Sequence, residues 1–171
     1  MVRIIFFALL LIGCGTTETE YSVQSEASDN KLETAVREND DRFVNESQSI
    51  AASPIEVWEV VTSAAHAKEL GAEFDKGSFI ESDWKLGSPV HFKYEPNKTV
   101  STGTITQLRE SEFIQVDYDF QGVAYTEQWS IQPSETGSRI AIYAGPYTAQ
   151  LEAQKVVWNN YLLKVKEIAE R

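Results

Sequence analysis

The sequence predicts an α+β fold: a curved antiparallel sheet of six to seven strands wrapped around one long C-terminal helix, with two short helices after the first strand. Three patterns predict it. Residues 77–147 alternate apolar and polar side chains with period two, the mark of antiparallel strands with one buried and one wet face. Residues 148–171 switch to steps of three and four, placing Leu151, Trp158, Tyr161, Leu162, Val165 and Ile168 on one helical stripe. One amphipathic helix laid on one face of an antiparallel sheet is the simplest way to bury both apolar sides.

In chain order, the first segment is not part of that fold. Arg3 is followed by an unbroken apolar run from Ile4 to Ile12 and then by Gly13-Cys14. This is the layout of a secretory signal peptide over residues 1–13. Leu11-Ile12-Gly13-Cys14 resembles the bacterial lipobox, in which the cysteine is acylated and becomes the mature N-terminus. The run is about half the length a membrane-spanning helix needs. Cys14 is the sole cysteine, so no disulfide staples the chain and stability must come from a packed core. Residues 14–41 read as a disordered acidic tether: positions 15–41 hold eight acidic against two basic residues and few apolar ones. As a flexible coil it would hold the folded part about 30 Å from its anchor.

The domain is expected over 42–171, which holds all but three of the aromatic residues and is long enough for a real core. Residues 42–52 mix apolar and polar groups without a helical stripe and read as the first strand. Ser53-Pro54-Ile55-Glu56 then announces a helix: Ser53 caps, Pro54 suits the first helical position and Glu56 completes a capping box. A second short helix is expected over 64–70, ending at Gly71. Val90, Phe92 and Tyr94 alternate with His91 and Lys93, and Ile114, Val116, Tyr118 and Phe120 with Gln115, Asp117 and Asp119. Val123, Tyr125, Trp129 and Ile131 continue the pattern, joined to the preceding strand by a tight hairpin at Gln121-Gly122. Residues 139–144 suggest a weaker final strand.

These landmarks carry a resemblance. Ile50-Ala51-Ala52-Ser53-Pro54-Ile55-Glu56-Val57-Trp58, Asp83-Trp84-Lys85-Leu86-Gly87-Ser88-Pro89-Val90, Gly103-Thr104-Ile105 and Trp158-Asn159-Asn160-Tyr161-Leu162 are similar, in order, to motifs of the SRPBCC or START-like superfamily. That superfamily has the helix-grip fold of the birch pollen allergen. Within it the chain looks most like the activator of heat-shock protein ATPase homologue (AHSA-type) family, over nearly all of 42–171. Arg109-Glu110-Ser111-Glu112 lacks the paired prolines often found at that linker. The superfamily hosts carriers, receptors, cyclases and hydrolases, so the resemblance identifies a fold and leaves the chemistry open.

What the resemblance implies is a cavity between helix and sheet, lined here by Trp84, Phe92, Tyr94, Tyr118, Phe120, Tyr125, Trp129, Trp158 and Leu162; the alternative is that these rings simply fill the space. Glu127 falls on the buried face by strand parity, where desolvation would raise its pKa and suit a general acid or a ligand anchor. A bulge reversing the parity, or a place in water at the pocket mouth, would remove that role. Tyr125 and Tyr143 are its acid–base companions in an enzymatic reading.

Other chemistry finds little support. His66 and His91 lack partners at metal-ligand spacing, and Asp117 with Asp119 reads as a solvated strand face, so no metal and no cofactor are expected. The net charge of −11 repels nucleic acid and anionic lipid. The expected function is therefore a lipid-anchored module holding an apolar or amphipathic small molecule. A cyclase- or hydrolase-like enzyme using Glu127, or an envelope protein-interaction module with an unknown partner, stand as alternatives. The membrane is the expected partner through acylated Cys14. Gly15 stands where an aspartate commonly retains lipoproteins in the inner membrane of enteric bacteria, and that resemblance implies the outer membrane of a bacterial envelope.

Overall fold

The computed structural model describes residues 40–120 and 122–171. The signal peptide expected at 1–13, the acylation expected at Cys14 and all but the last two residues of the expected 14–41 tether lie outside the described residues.

Seven strands form one antiparallel sheet: β1 (Val44–Ile50), β2 (Ser78–Ser82), β3 (Pro89–Tyr94), β4 (Lys98–Arg109), β5 (Phe113–Phe120), β6 (Val123–Ser134) and β7 (Gly137–Gly145), in spatial order β1-β7-β6-β5-β4-β3-β2. Two short helices, α1 (Pro54–Thr62) and α2 (Ala67–Gly71), separate the first two strands, and α3 (Leu151–Ala169) follows the last. Strands β2 to β7 run as successive hairpins, and β1 closes the far edge by pairing with β7. The sheet curls and α3 lies along its concave side, which is the α+β helix-grip architecture.

The local signals act as expected. Ser53 Oγ accepts from the Glu56 amide at 3.4 Å while Glu56 Oε2 accepts from the Ser53 amide at 2.7 Å, completing the capping box. The predicted α3 stripe is the buried one: Trp158, Tyr161, Leu162, Val165 and Ile168. Boundaries shift inward because helix and strand ends lack ladder partners. Thus α3 starts at Leu151 rather than 148, α2 at Ala67 rather than 64, and β1 occupies Val44–Ile50 rather than 42–52. The final strand is full-length, nine residues paired on both sides, where the sequence suggested a weaker one.

The core lies where α1, the C-terminal half of α3 and strands β5–β7 meet. Val57, Ile114, Ile140, Ile142, Trp158, Leu162 and Val165 are each at most 1 % exposed there. An ion-pair set ties the end of α3 to α2: Arg171 Nη2 reaches Glu69 at 2.6 Å and Glu167 at 2.8 Å. Such exposed pairs add little stability.

Candidate functional site

Strand parity carries Glu127 to the concave face. β6 pairs with β5 and with β7 in unbroken register, so no bulge intervenes and Tyr125, Glu127, Trp129 and Ile131 share one side. Glu127 forms the floor of a cleft of about 580 Å³ between the outer end of the sheet and the first turns of α3. The walls are Phe74, Phe120, Tyr125, Tyr147 and Trp158, and Val123, Pro146, Thr148, Gln150 and Gln154 form the rest of the lining. A smaller recess of about 70 Å³, lined by Phe92, Ile80, Ser101 and Tyr118, shares Phe74, Phe120 and Glu127 with it.

The rings brace one another. Tyr118 stacks on Phe120 at 5.6 Å, and both tilt against Tyr125 at 5.8 Å. Phe74 meets Trp158 edge-on at 4.8 Å. These are the offset and edge geometries that aromatic quadrupoles favour. Gly103 makes one of them possible. A Cβ at Gly103 would lie 2.6 Å from the Tyr118 ring, so only glycine leaves Tyr118 free to lie across β4.

The polar groups form one connected set. The Tyr118 hydroxyl donates to Glu127 Oε2 at 3.2 Å. The Tyr125 and Tyr147 hydroxyls share a hydrogen bond at 2.6 Å, and Trp158 Nε1 donates to the Tyr147 hydroxyl at 2.8 Å. Burial among rings pushes the Glu127 carboxyl up to about 7, while the Tyr118 and Tyr125 hydroxyls pull it back down. Part of Glu127 stays accessible because it lines the cleft, although rings surround the carboxylate. Burial likewise raises Tyr118, Tyr125 and Tyr147, each reinforced by the Glu127 charge, so these phenols stay protonated at neutral pH.

The cleft gathers Phe120, Tyr125, Glu127 and Trp158 from the residues the sequence singled out, and its recess adds Phe92 and Tyr118. Four others lie elsewhere. Trp129 and Leu162 are 2 % and 0 % exposed and pack solidly in the core. Trp84 lines a separate cavity of about 210 Å³ beside α1, α2 and β2. Tyr94 turns its hydroxyl to Asp75 Oδ2 at 2.6 Å. Tyr143 faces the convex side and stacks on Phe43 at 4.5 Å, away from Glu127. Asp117 lies in a polar ladder on that outer face, accepting from Thr106 at 2.7 Å and from Gln115 at 3.0 Å. His91 Nδ1 meets Thr102 Oγ1 at 2.9 Å. Among the described residues no group of three His, Cys, Asp or Glu side chains could hold a metal, and no helix is long and apolar enough to cross a membrane.

Two wall residues escaped the sequence reading. Phe74 sits in the turn after α2 and Tyr147 just beyond β7, at the very end of the period-two stretch, and neither belongs to a strand or helix. The available signal was composition alone: a large ring in an otherwise polar turn, and another directly after Gly145-Pro146.

A curled antiparallel sheet gripping a C-terminal helix, with a ring-lined cleft at one end, defines an SRPBCC-type domain. The chain belongs to the family described as Activator of Hsp90 ATPase homolog 1-like protein, whose model matches residues 51–170. Solved structures share the fold at low identity. Protein CV1439 from Chromobacterium violaceum aligns with a TM-score of 0.61 and 16% identity, over 76% of this chain and 99% of its own. The Aha1 dimer from Colwellia psychrerythraea gives 0.60 and 16%, over 75% and 96%. ChR145 from Cytophaga hutchinsonii gives 0.60 and 21%, over 75% and 93%. No curated protein matches the sequence at a significant level.

Proposed function

We propose that this chain is a lipid-anchored envelope module whose cleft holds a small amphipathic molecule. The observation that carries the binding reading is the cleft itself: about 580 Å³, walled by rings, with one carboxylate among the described residues that line it. Mostly apolar concave sites with a few fixed polar groups are the usual form of small-molecule pockets. The Leu11-Ile12-Gly13-Cys14 sequence supports the anchor, and Gly15 supports the outer membrane. Acyl chains, rather than charge, would hold so acidic a protein on a bilayer.

Native mass spectrometry of the full-length chain from its own host's envelope, before and after organic extraction, tests both halves. A co-purified apolar adduct and a mass consistent with acylated Cys14 are expected. A protein of unmodified mass that takes up no apolar probe would end the proposal.

The Glu127 carboxyl, held near 7, favours a second reading: acid–base catalysis of the cyclase or hydrolase kind with Tyr125 beside it. That reading requires turnover of the extracted ligand by the wild-type chain and none by Glu127→Gln.

A further inference from the structure

We propose that the ligand of this cleft is an amphipathic organic cation, a protonated amine on an apolar body, with its charged head seated on Glu127 among the rings. The inference rests on the small-molecule reading above and names the ligand's chemical class.

Charge complementarity carries it. Among the described residues, Glu127 is the only charged side chain lining the cleft and its recess, and none of the lining is Lys, Arg or His. A carboxylate taken from water without a protein cation is left uncompensated, and a ligand ammonium would supply the missing charge. Tyr118 donates to Oε2 and the Tyr125 hydroxyl also stabilises the carboxylate, but both are neutral donors, so the charge itself is left for an ammonium to balance.

The surrounding groups suit the same head. Tyr125, Tyr147, Phe120, Phe74 and Trp158 line the same space as Glu127. Aromatic faces attract ammonium groups, most strongly where water is excluded. The net charge of −11 also steers cations toward the protein.

Every titratable group near Glu127 leaves its charge in control. Tyr118 on β5, Tyr125 on β6, Tyr147 after β7 and Tyr161 on α3 are all driven upward by burial, each with a contribution from Glu127, so none ionises near neutrality. The stretch after α2 adds only Phe74 to the lining, and α1 adds nothing to it. Burial raises the Glu127 carboxyl to about 7, and a bound ammonium favours its ionised form, so binding near neutral pH should release protons.

The test uses the full-length chain with three matched probes below their micelle concentrations: decylammonium, 1-decanol and decanoate, read by tryptophan fluorescence and calorimetry. At pH 8 decylammonium should bind at least about tenfold more tightly than 1-decanol. At pH 5 the advantage should vanish, and Glu127→Gln should bring the ratio of ammonium to alcohol affinity at pH 8 close to one, whatever it does to either affinity alone. The wild-type pH series answers the question even if the variant folds poorly. Equal binding of the ammonium and the alcohol, or a preference for decanoate at the uncapped start of α3, overturns the cation and leaves the cleft. Failure of all three to bind sinks the small-molecule reading too.

Discussion

The two ends of the concave face are built from the same strands and the same helix, yet one is solid and the other hollow. Around the C-terminal half of α3, Leu162 and Val165 fill the space against Ile140, Ile142 and Trp129, all at most 2 % exposed. Around its first turns the helix offers Gln150 and Gln154 with exposed neighbours, and the cleft takes the volume that aliphatic side chains occupy further along. Trp158 sits at the boundary. It meets Trp129 edge-on at 6.0 Å on the solid side and walls the cleft on the other. The solid end supplies stability that lets the hollow end carry a desolvated carboxylate and an unfilled space, both unfavourable features for folding.

The strongest way to break this contrast is to hollow the solid end. Trp129→Ala removes a ring that is 2 % exposed and should cost about 3–5 kcal/mol in chemical denaturation. Ligand binding, measured on whatever fraction remains folded, should change far less. A small stability loss would show that the solid end tolerates voids and does not differ from the cleft.

The next effect lies in the hollow end and depends on pH. The Glu127 carboxyl rises from 4.5 to about 7 on folding, so the folded state holds its proton more tightly than the unfolded state. The contribution is most favourable below pH 4.5 and is lost as pH climbs through about 7. Folding should therefore weaken between pH 5 and pH 8 by up to about 3 kcal/mol from this group. Glu127→Gln should flatten that part of the pH dependence and stabilise the protein at pH 8. Denaturation midpoints of both proteins at the two pH values decide it; parallel curves would mean the carboxylate is well solvated.

A third substitution probes the joint between the strands and the rings. Gly103→Ala places a methyl 2.6 Å from the Tyr118 ring, and either the ring or β4 must move. Overpacking of this kind costs about 1–3 kcal/mol. Because Tyr118 is the donor to Glu127, the displaced ring should also raise the Glu127 pKa, readable by NMR titration of a labelled carboxyl. A stability loss with an unmoved titration would confine Gly103 to packing.

How much of this was legible in the sequence follows from what each pattern encodes. Period two fixes facing, so the side of the sheet on which Glu127 lies could be read directly, as could the buried stripe of α3. Period two says nothing about filling. Trp129 and Tyr125 have the same parity, but one is core and the other wall, because that depends on how near α3 passes. Phe74 and Tyr147 were illegible for another reason: turns bring them to the cleft through tertiary geometry that no local repeat records. The capping box at Ser53 was readable because both of its hydrogen bonds close within four residues.

The smallest expected effect is the one that separates the two ends most cleanly. Phe120 is a wall of the cleft, yet it is 45% exposed and lies next to the hairpin turn. Its main support is the stack on Tyr118 at 5.6 Å. Replacing it by alanine removes an aromatic pair worth about 0.5–1.5 kcal/mol and little buried area, so the denaturation midpoint should move only slightly. Binding should suffer more, because the ring closes one side of the space above Glu127 and helps exclude water there. A severalfold loss of affinity for an apolar probe, with nearly unchanged stability, is the reverse of what Trp129→Ala should give. If Phe120→Ala leaves affinity unchanged, the outer lip does not contact the ligand, and the binding volume shrinks to the inner recess beside Phe92 and Tyr118.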